Sequence, residues 1–140
     1  LFLHHYTHMS LSFVGLDIEH LSMKSLVGKI FSVFAYLMGV PMKDANAVGA
    51  MLGTKFILNE MLGYIDLVAV KNAISDKSFI IASFALCGFG NLSSIAIQIG
   101  GIGELAPNQR KNLSRLGFRA LICGTLASYM SACIAGILLS

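Results

Sequence analysis

Tryptophan is absent, proline occurs only twice, and charged residues make up 12% of the 140 positions. A soluble domain is about 25% charged, so this little charge cannot cover a globular surface, and a water-soluble monomer is excluded. Cysteine is scarce as well. Cys87, Cys123 and Cys133 are odd in number, show no CxxC spacing and lie in apolar runs. They support neither a disulfide framework nor a zinc site and are expected as buried small hydrophobes. All four histidines fall before residue 21, which leaves no Ser/His/Asp or Cys/His arrangement to assemble, and no enzymatic activity, metal or cofactor is expected. His4, His5 and His8 contain an i, i+4 pair but have no carboxylate or cysteine nearby to complete a metal site. A cleavable signal peptide is missing too, because the first 16 residues lack a basic start followed by a clean apolar core.

What is present is apolar: 56% hydrophobic residues, 14 glycines and a mean hydropathy of +0.76. Long uncharged runs with many small residues predict an all-α integral membrane protein whose helices approach closely. The first 17 residues remain unassigned, and a chain beginning Leu1-Phe2-Leu3 is expected to be a C-terminal piece of something longer. Charge is uneven: residues 1–70 carry four Lys/Arg and five Asp/Glu, and residues 71–140 carry six and two. Arg110, Lys111, Arg115 and Arg119 cluster between the longest uncharged runs. Such clusters stay in the cytoplasm, so a cytoplasmic basic loop over 110–119 is expected, with the C-terminus outside. Nucleic-acid binding would need an exposed basic face with aromatic platforms, which the sequence does not offer.

Along 18–38, Leu21, Met23, Val27, Ile30, Phe31, Phe34, Leu37 and Met38 recur at helical spacing, with Lys24, Ser25, Gly28, Lys29 and Ser32 between them. This predicts an amphipathic helix lying in the membrane interface. Gly39 and Pro41 stop it, and Pro41 opens the next helix with Asp44 in its first turn. Over 42–70, two apolar arms of about a dozen residues flank Asn59-Glu60; each reaches only about half of a 30 Å hydrocarbon core, which predicts a re-entrant helical hairpin. Gly49 and Gly53 would let one arm approach a neighbour.

Residues 78–103 contain no charge and suffice to cross, but Gly88-Phe89-Gly90-Asn91 interrupts them. This predicts a discontinuous transmembrane helix, tolerated where protein or a water-filled cavity satisfies the free backbone. Residues 113–140 supply a last transmembrane helix, uncharged from Ala120. Its Ala120, Gly124, Ser128, Ala132 and Gly136 fall at every fourth position, a row expected to pack on another helix.

Two lapses in hydrophobicity are the candidate site. Glu60 would stand at the hairpin tip, where an ionisable group costs about 2.5–3.5 kcal/mol on insertion scales and marks a substrate or ion path; at an aqueous interface it would mean nothing. Phe89, Asn91, Ser93 and Ser94 at the break offer amide and hydroxyl groups, free backbone and a flat apolar face. With a carboxylate they suit a neutral polyhydroxylated ligand with an aromatic part. The plainer alternative is that Asn91 caps the second half-helix and the serines bond back to its carbonyls. The stretch Gly101-Ile-Gly-Glu-Leu-Ala106 matches a dinucleotide fingerprint, but Pro107 interrupts the required helix and no acidic residue follows Glu104. These glycines are expected to let the chain leave the membrane before the basic loop.

Taken together, Ala35-Tyr-Leu-Met-Gly-Val-Pro41, Leu52-Gly-Thr-Lys55 with Asn59-Glu60, Ala85-Leu-Cys-Gly-Phe-Gly-Asn-Leu-Ser-Ser94, Gln98-Ile-Gly-Gly-Ile-Gly103, Ala106-Pro107 and Ser114-Arg-Leu-Gly117 resemble the C-terminal part of the concentrative nucleoside transporters. The resemblance runs from about Ser22 to the end. It implies an α-helical secondary carrier of the inner or plasma membrane, a trimer moving nucleosides inward with sodium or protons. It further implies that Glu60, Asn91 and Ser94 bind ribose hydroxyls and that Phe89 contacts the base. The family's first hairpin and coupling-ion sites lie upstream, so an N-terminal half outside these residues is the expected partner. The rival readings are a non-transporting nucleoside-recognition gate or interaction protein, and a broken-helix transporter for another solute.

Overall fold

A computed structural model describes residues 23–139; the expectations for residues 1–22, including the histidines and the start of the first helix, lie outside them. Among the described residues every regular element is helical: α1 (Met23–Leu37), α2 (Met42–Ile57), α3 (Glu60–Ala69), α4 (Asp76–Leu86), α5 (Leu92–Leu105), a 3-10 turn (Pro107–Gln109) and α6 (Arg110–Leu138).

Helices α1 and α2 meet through small residues. A Cβ at Gly49 would fall 2.5 Å from the Gly28 carbonyl oxygen, and one at Gly53 would fall 2.9 Å from Val27 Cγ1. Only bare backbone on α2 permits this approach. Gly28 therefore faces protein, whereas the spacing placed it between the apolar positions, and Ile30, Phe34 and Leu37 of the expected apolar face stand exposed on this chain. Bulk predicted which residues avoid water, but close helix packing selected the small ones. The turn after α1 uses Gly39 at φ +95°, a conformation L side chains rarely adopt. Pro41 follows as the N-cap of α2, its carbonyl accepting from the Asp44 and Ala45 N–H groups.

The arms around Asn59-Glu60 are unequal, 16 residues in α2 and 10 in α3, about 24 and 15 Å at 1.5 Å per residue. Thr54 Oγ1 ties them, standing 3.1 Å from both Ala50 O and Asp66 Oδ2. At the base of α2, buried Asp44 accepts through Oδ2 from Ser75 N (3.1 Å), Ser75 Oγ (2.8 Å) and Ser78 Oγ (2.6 Å). Ser75 also caps α4, accepting from Ser78 N. One carboxylate thus fixes the start of the second helix pair against the start of the first, and its burial is offset by three donors.

The core lies where α1, α2, α4 and α6 converge, with Ala35, Val48, Leu52, Ile81, Ala85, Leu86 and Ala132 buried in one cluster. Only part of the small-residue row on α6 packs. Ala132 and Gly136 are buried, and a Cβ at Gly136 would meet the Met38 carbonyl oxygen at 2.6 Å, whereas Gly124 has open space beside it.

The region before α6 corrects two expectations. Residues 110–119 are the first turns of α6 and not a loop: Pro107 starts a 3-10 turn that feeds straight into the helix, and Arg and Lys are good helix formers. Gly100, Gly101 and Gly103 do not release the chain either, because α5 continues to Leu105. Gly103 instead makes room for Arg110, whose Nε donates to its carbonyl at 3.2 Å and whose guanidinium pairs with Glu104. The cysteines are a further correction: Cys87 and Cys123 are exposed and Cys133 is half-buried. Cys87 sits in the helix break, and Cys123 lies on a face of α6 that this chain leaves uncovered.

Among the described residues one helix, Pro107–Leu138, is long and apolar enough to cross a membrane; Leu92–Leu105 and Leu26–Leu37 are shorter apolar helices.

Candidate functional site

The tip between α2 and α3 and the break between α4 and α5 are built alike. Each restarts a helix from an extended asparagine that serves as its N-cap. Asn59 Oδ1 accepts from Leu62 N at 3.0 Å, and Asn91 Oδ1 accepts from Ser94 N at 2.8 Å. Such caps satisfy one of the free N–H groups at a helix start. The fold then brings tip and break together: Asn91 Nδ2 donates to Glu60 Oε2 at 3.2 Å, across 31 residues of sequence. Glu60 is the first residue of α3, where the positive end of the helix favours a carboxylate.

Three of the four candidate residues converge directly. Asn91 is 3% exposed and uses its carbonyl oxygen locally and its amide nitrogen at long range. Ser94 Oγ stands 2.8 Å from the Phe89 carbonyl oxygen and 2.9 Å from Asn91 Oδ1; with one proton, it donates to one of them at a time. The capping alternative considered for these residues is therefore present, and the same Asn91 side chain also reaches Glu60. Phe89, the fourth, is 80% exposed, a large aromatic face that the described residues leave largely uncovered. Ser93 is exposed and does not join the group.

A cavity of about 330 Å³ opens beside the break, lined by Phe89, Asn91, Ser94 and Gln98 on one side and Gly117 and Ala120 of α6 on the other. Its size falls at the lower end of small-molecule sites. Glu60 does not line it and bears on it through Asn91. Among the described residues no group of His, Cys, Asp and Glu is arranged to hold a metal ion.

Several residues at the site were not singled out by the sequence. Lys55, 2% exposed, donates from Nζ to the Ala85 carbonyl at 2.8 Å; a lysine inside an apolar run was the available signal. Thr125 Oγ1 is buried without a hydrogen-bond partner among the described residues and would stand 3.2 Å from a Cβ at Gly90, so α6 leaves room for bare backbone at the break. Gln98 lies two turns along α5 from Asn91 on the cavity side, and nothing in the spacing distinguished it.

The relatives agree with this architecture. Residues 2–136 match the family described as "Na+ dependent nucleoside transporter C-terminus". An uncharacterised transporter YutK of Bacillus subtilis is 43% identical over 120 residues, covering 86% of this chain and 30% of that protein. The nucleoside permease NupC of Helicobacter pylori is 40% identical over 124 residues, covering 85% of this chain and 30% of the permease. Sodium/nucleoside cotransporter 1 of rat is 37% identical over 150 residues, covering 95% and 23%. Among solved structures, CNTnw in an inward-facing substrate-bound state superposes with a TM-score of 0.80 at 38% identity, covering 91% of this chain and 31% of that one. The chain thus spans under a third of the length of these relatives, and it belongs to the Na+-dependent nucleoside transporter family, matching that family's C-terminal part.

Proposed function

We propose that the chain forms the ribose-binding part of a nucleoside:cation symporter, in which Glu60 and Asn91 hold the sugar hydroxyls, Ser94 supports Asn91 and adds a hydroxyl, and Phe89 lies against the base. The observation that carries this reading is the Asn91–Glu60 hydrogen bond, which joins a carboxylate to an amide at a helix break. A carboxylate accepts from two vicinal hydroxyls, and an amide both donates and accepts. The exposed Phe89 ring offers a face for an aromatic base. The chain is a carrier component and not an enzyme.

In the membrane, α1 lies in the interface, α2 and α3 form a re-entrant hairpin, α4 and α5 form one broken span, and α6 crosses fully in the cell membrane. Its basic N-terminal turns, 110–119, face the cytoplasm, and its C-terminus lies outside. The complete carrier is a homotrimer, drives uptake with sodium or protons, and supplies from its N-terminal half the remainder of the substrate and ion sites. Hairpin and broken helix travel together during alternating access. In support, the chain superposes with a TM-score of 0.80 on CNTnw in an inward-facing state, over 91% of its length, and of 0.76 on a doubly substituted CNTnw in an outward-facing state, over 83%, as a block that largely keeps its internal arrangement would.

The test is radiolabelled uridine uptake by the complete protein in cells lacking their own nucleoside carriers. Glu60→Gln replaces a charged acceptor by a weaker neutral one and is expected to lower uptake roughly tenfold or more. Unchanged uptake would sink the assignment of Glu60.

A further inference from the structure

Helix α4 ends at Leu86, so its last carbonyls have no partner further along the helix. In water such groups are hydrated; at a break inside a membrane protein they must be satisfied by protein. Here the Phe84 carbonyl accepts from the Cys87 N–H at 3.2 Å. The alternating carbonyls of 83, 85 and 87 are taken by side chains from three other helices. Tyr64 Oη on α3 donates to Ser83 O at 2.9 Å, Lys55 Nζ on α2 to Ala85 O at 2.8 Å, and Ser128 Oγ on α6 to Cys87 O at 3.1 Å.

We infer that Lys55, Tyr64 and Ser128 are positioning residues that hold the end of α4, keeping Phe89, Asn91 and Ser94 in register with Glu60. The inference rests on the nucleoside-site reading above. Both hairpin arms contribute a donor, so the hairpin that carries Glu60 is tied to the helix that leads into Asn91 from two directions. Lys55 is the strongest of the three. Its side chain is buried, its Nζ donates to a carbonyl at the negative end of α4, and removing one partner of a buried charged contact is costly. Ser128 is the weakest, because its hydroxyl is shared with the Gly124 carbonyl at 3.2 Å. Gly88 completes the device: a Cβ there would fall 2.5 Å from Ser128 Oγ and 3.8 Å from Lys55 Nζ, so the backbone passes between two of the donors.

The experiment measures initial rates of uridine uptake by the complete protein over a range of concentrations, with membrane abundance followed through an epitope tag. Lys55→Met is expected to raise KM about tenfold, and Tyr64→Phe and Ser128→Ala about two- to threefold, with the maximal rate per transporter falling less. Lys55→Arg, which keeps the charge at the helix end, should recover part of the loss. A purely structural role would lower abundance and leave KM unchanged, and that result in Tyr64→Phe and Ser128→Ala, whose changes are small enough to fold, overturns the inference. Glu60→Gln is measured alongside: if it is silent the site reading fails, whereas if it lowers uptake and the three variants leave KM alone, only the positioning role fails. As a readout independent of substrate, Cys87 is labelled with maleimide after Cys123 and Cys133 are changed to Ala. Its labelling rate should change severalfold in the Lys55 and Tyr64 variants, and an unchanged rate counts against the cap even if no nucleoside is carried.

Discussion

Asn59 and Asn91 are the same residue performing the same local task, and the molecule treats them differently. Both are extended, both restart a helix, and both accept a hydrogen bond from an N–H three residues on. Asn59 is exposed, and among the described residues its side chain has no partner beyond the Leu62 N–H. Asn91 is 3% exposed, and its other end reaches Glu60. A cap is a local device of about 1 kcal/mol. A cap whose second functional group reaches a carboxylate on another helix becomes a joint between two helix pairs, because removing it also removes a charge-assisted hydrogen bond to a half-buried group.

The contrast can be broken or sharpened by substitution. The largest effect is expected from Asn91→Ala, which loses the cap and the amide that donates to Glu60, while the Ser94 hydroxyl keeps the Phe89 carbonyl. Summing a lost cap and a lost hydrogen bond to a charged group gives on the order of 3 kcal/mol, read as loss of uridine uptake by the complete protein together with a lowered melting temperature in detergent. Asn91→Ser comes next. It keeps a capping oxygen but has no amide to donate to Glu60, so uptake should fall roughly tenfold while the melting temperature moves little. Uptake equal to wild type in Asn91→Ser would reduce Asn91 to a plain cap and erase the difference from Asn59. Asn59→Ala should cost about 1 kcal/mol of stability at α3 with uptake within about fivefold of wild type. Asn59→Ser, smallest of all, should match wild type in both measurements, since serine caps about as well as asparagine. A large uptake defect in Asn59→Ser would mean that the tip carries a function of its own.

Much of the fold is legible along the chain where the responsible interactions are local. The stop at Gly39 and Pro41, the interruption at Asn59-Glu60 and the break at Gly88 to Asn91 all reappear as helix boundaries, because glycine, proline and asparagine act on their own backbone. The errors share one cause. Gly28 and Gly103 take their meaning from other helices and not from their neighbours in sequence: Gly28 lies against Ala50 and Gly103 against the Arg110 side chain, whereas Gly49 and Gly53 approach a neighbouring helix as their spacing predicts. Arg110 to Arg119 were read as a loop from charge alone, though charge decides sidedness and places no limit on helicity. At the site, Glu60, Asn91 and Ser94 stood out as polar residues in apolar surroundings. Tyr64 and Ser128 did not, since a tyrosine and a serine in a helix carry no signal until the carbonyls they serve are in view.

The sequence by itself determined that the chain is helical, apolar and twice interrupted, and which family it belongs to, because periodicity, capping and motif order are properties of residues a few positions apart. Only the tertiary structure decided which free groups at the interruptions find each other. Asn91 meets Glu60 across 31 positions, Lys55 meets Ala85 across 30 and Ser128 meets Cys87 across 41. Hydrogen bonds over such separations depend on how helices pack, and packing is set by shape in three dimensions rather than by spacing along the chain.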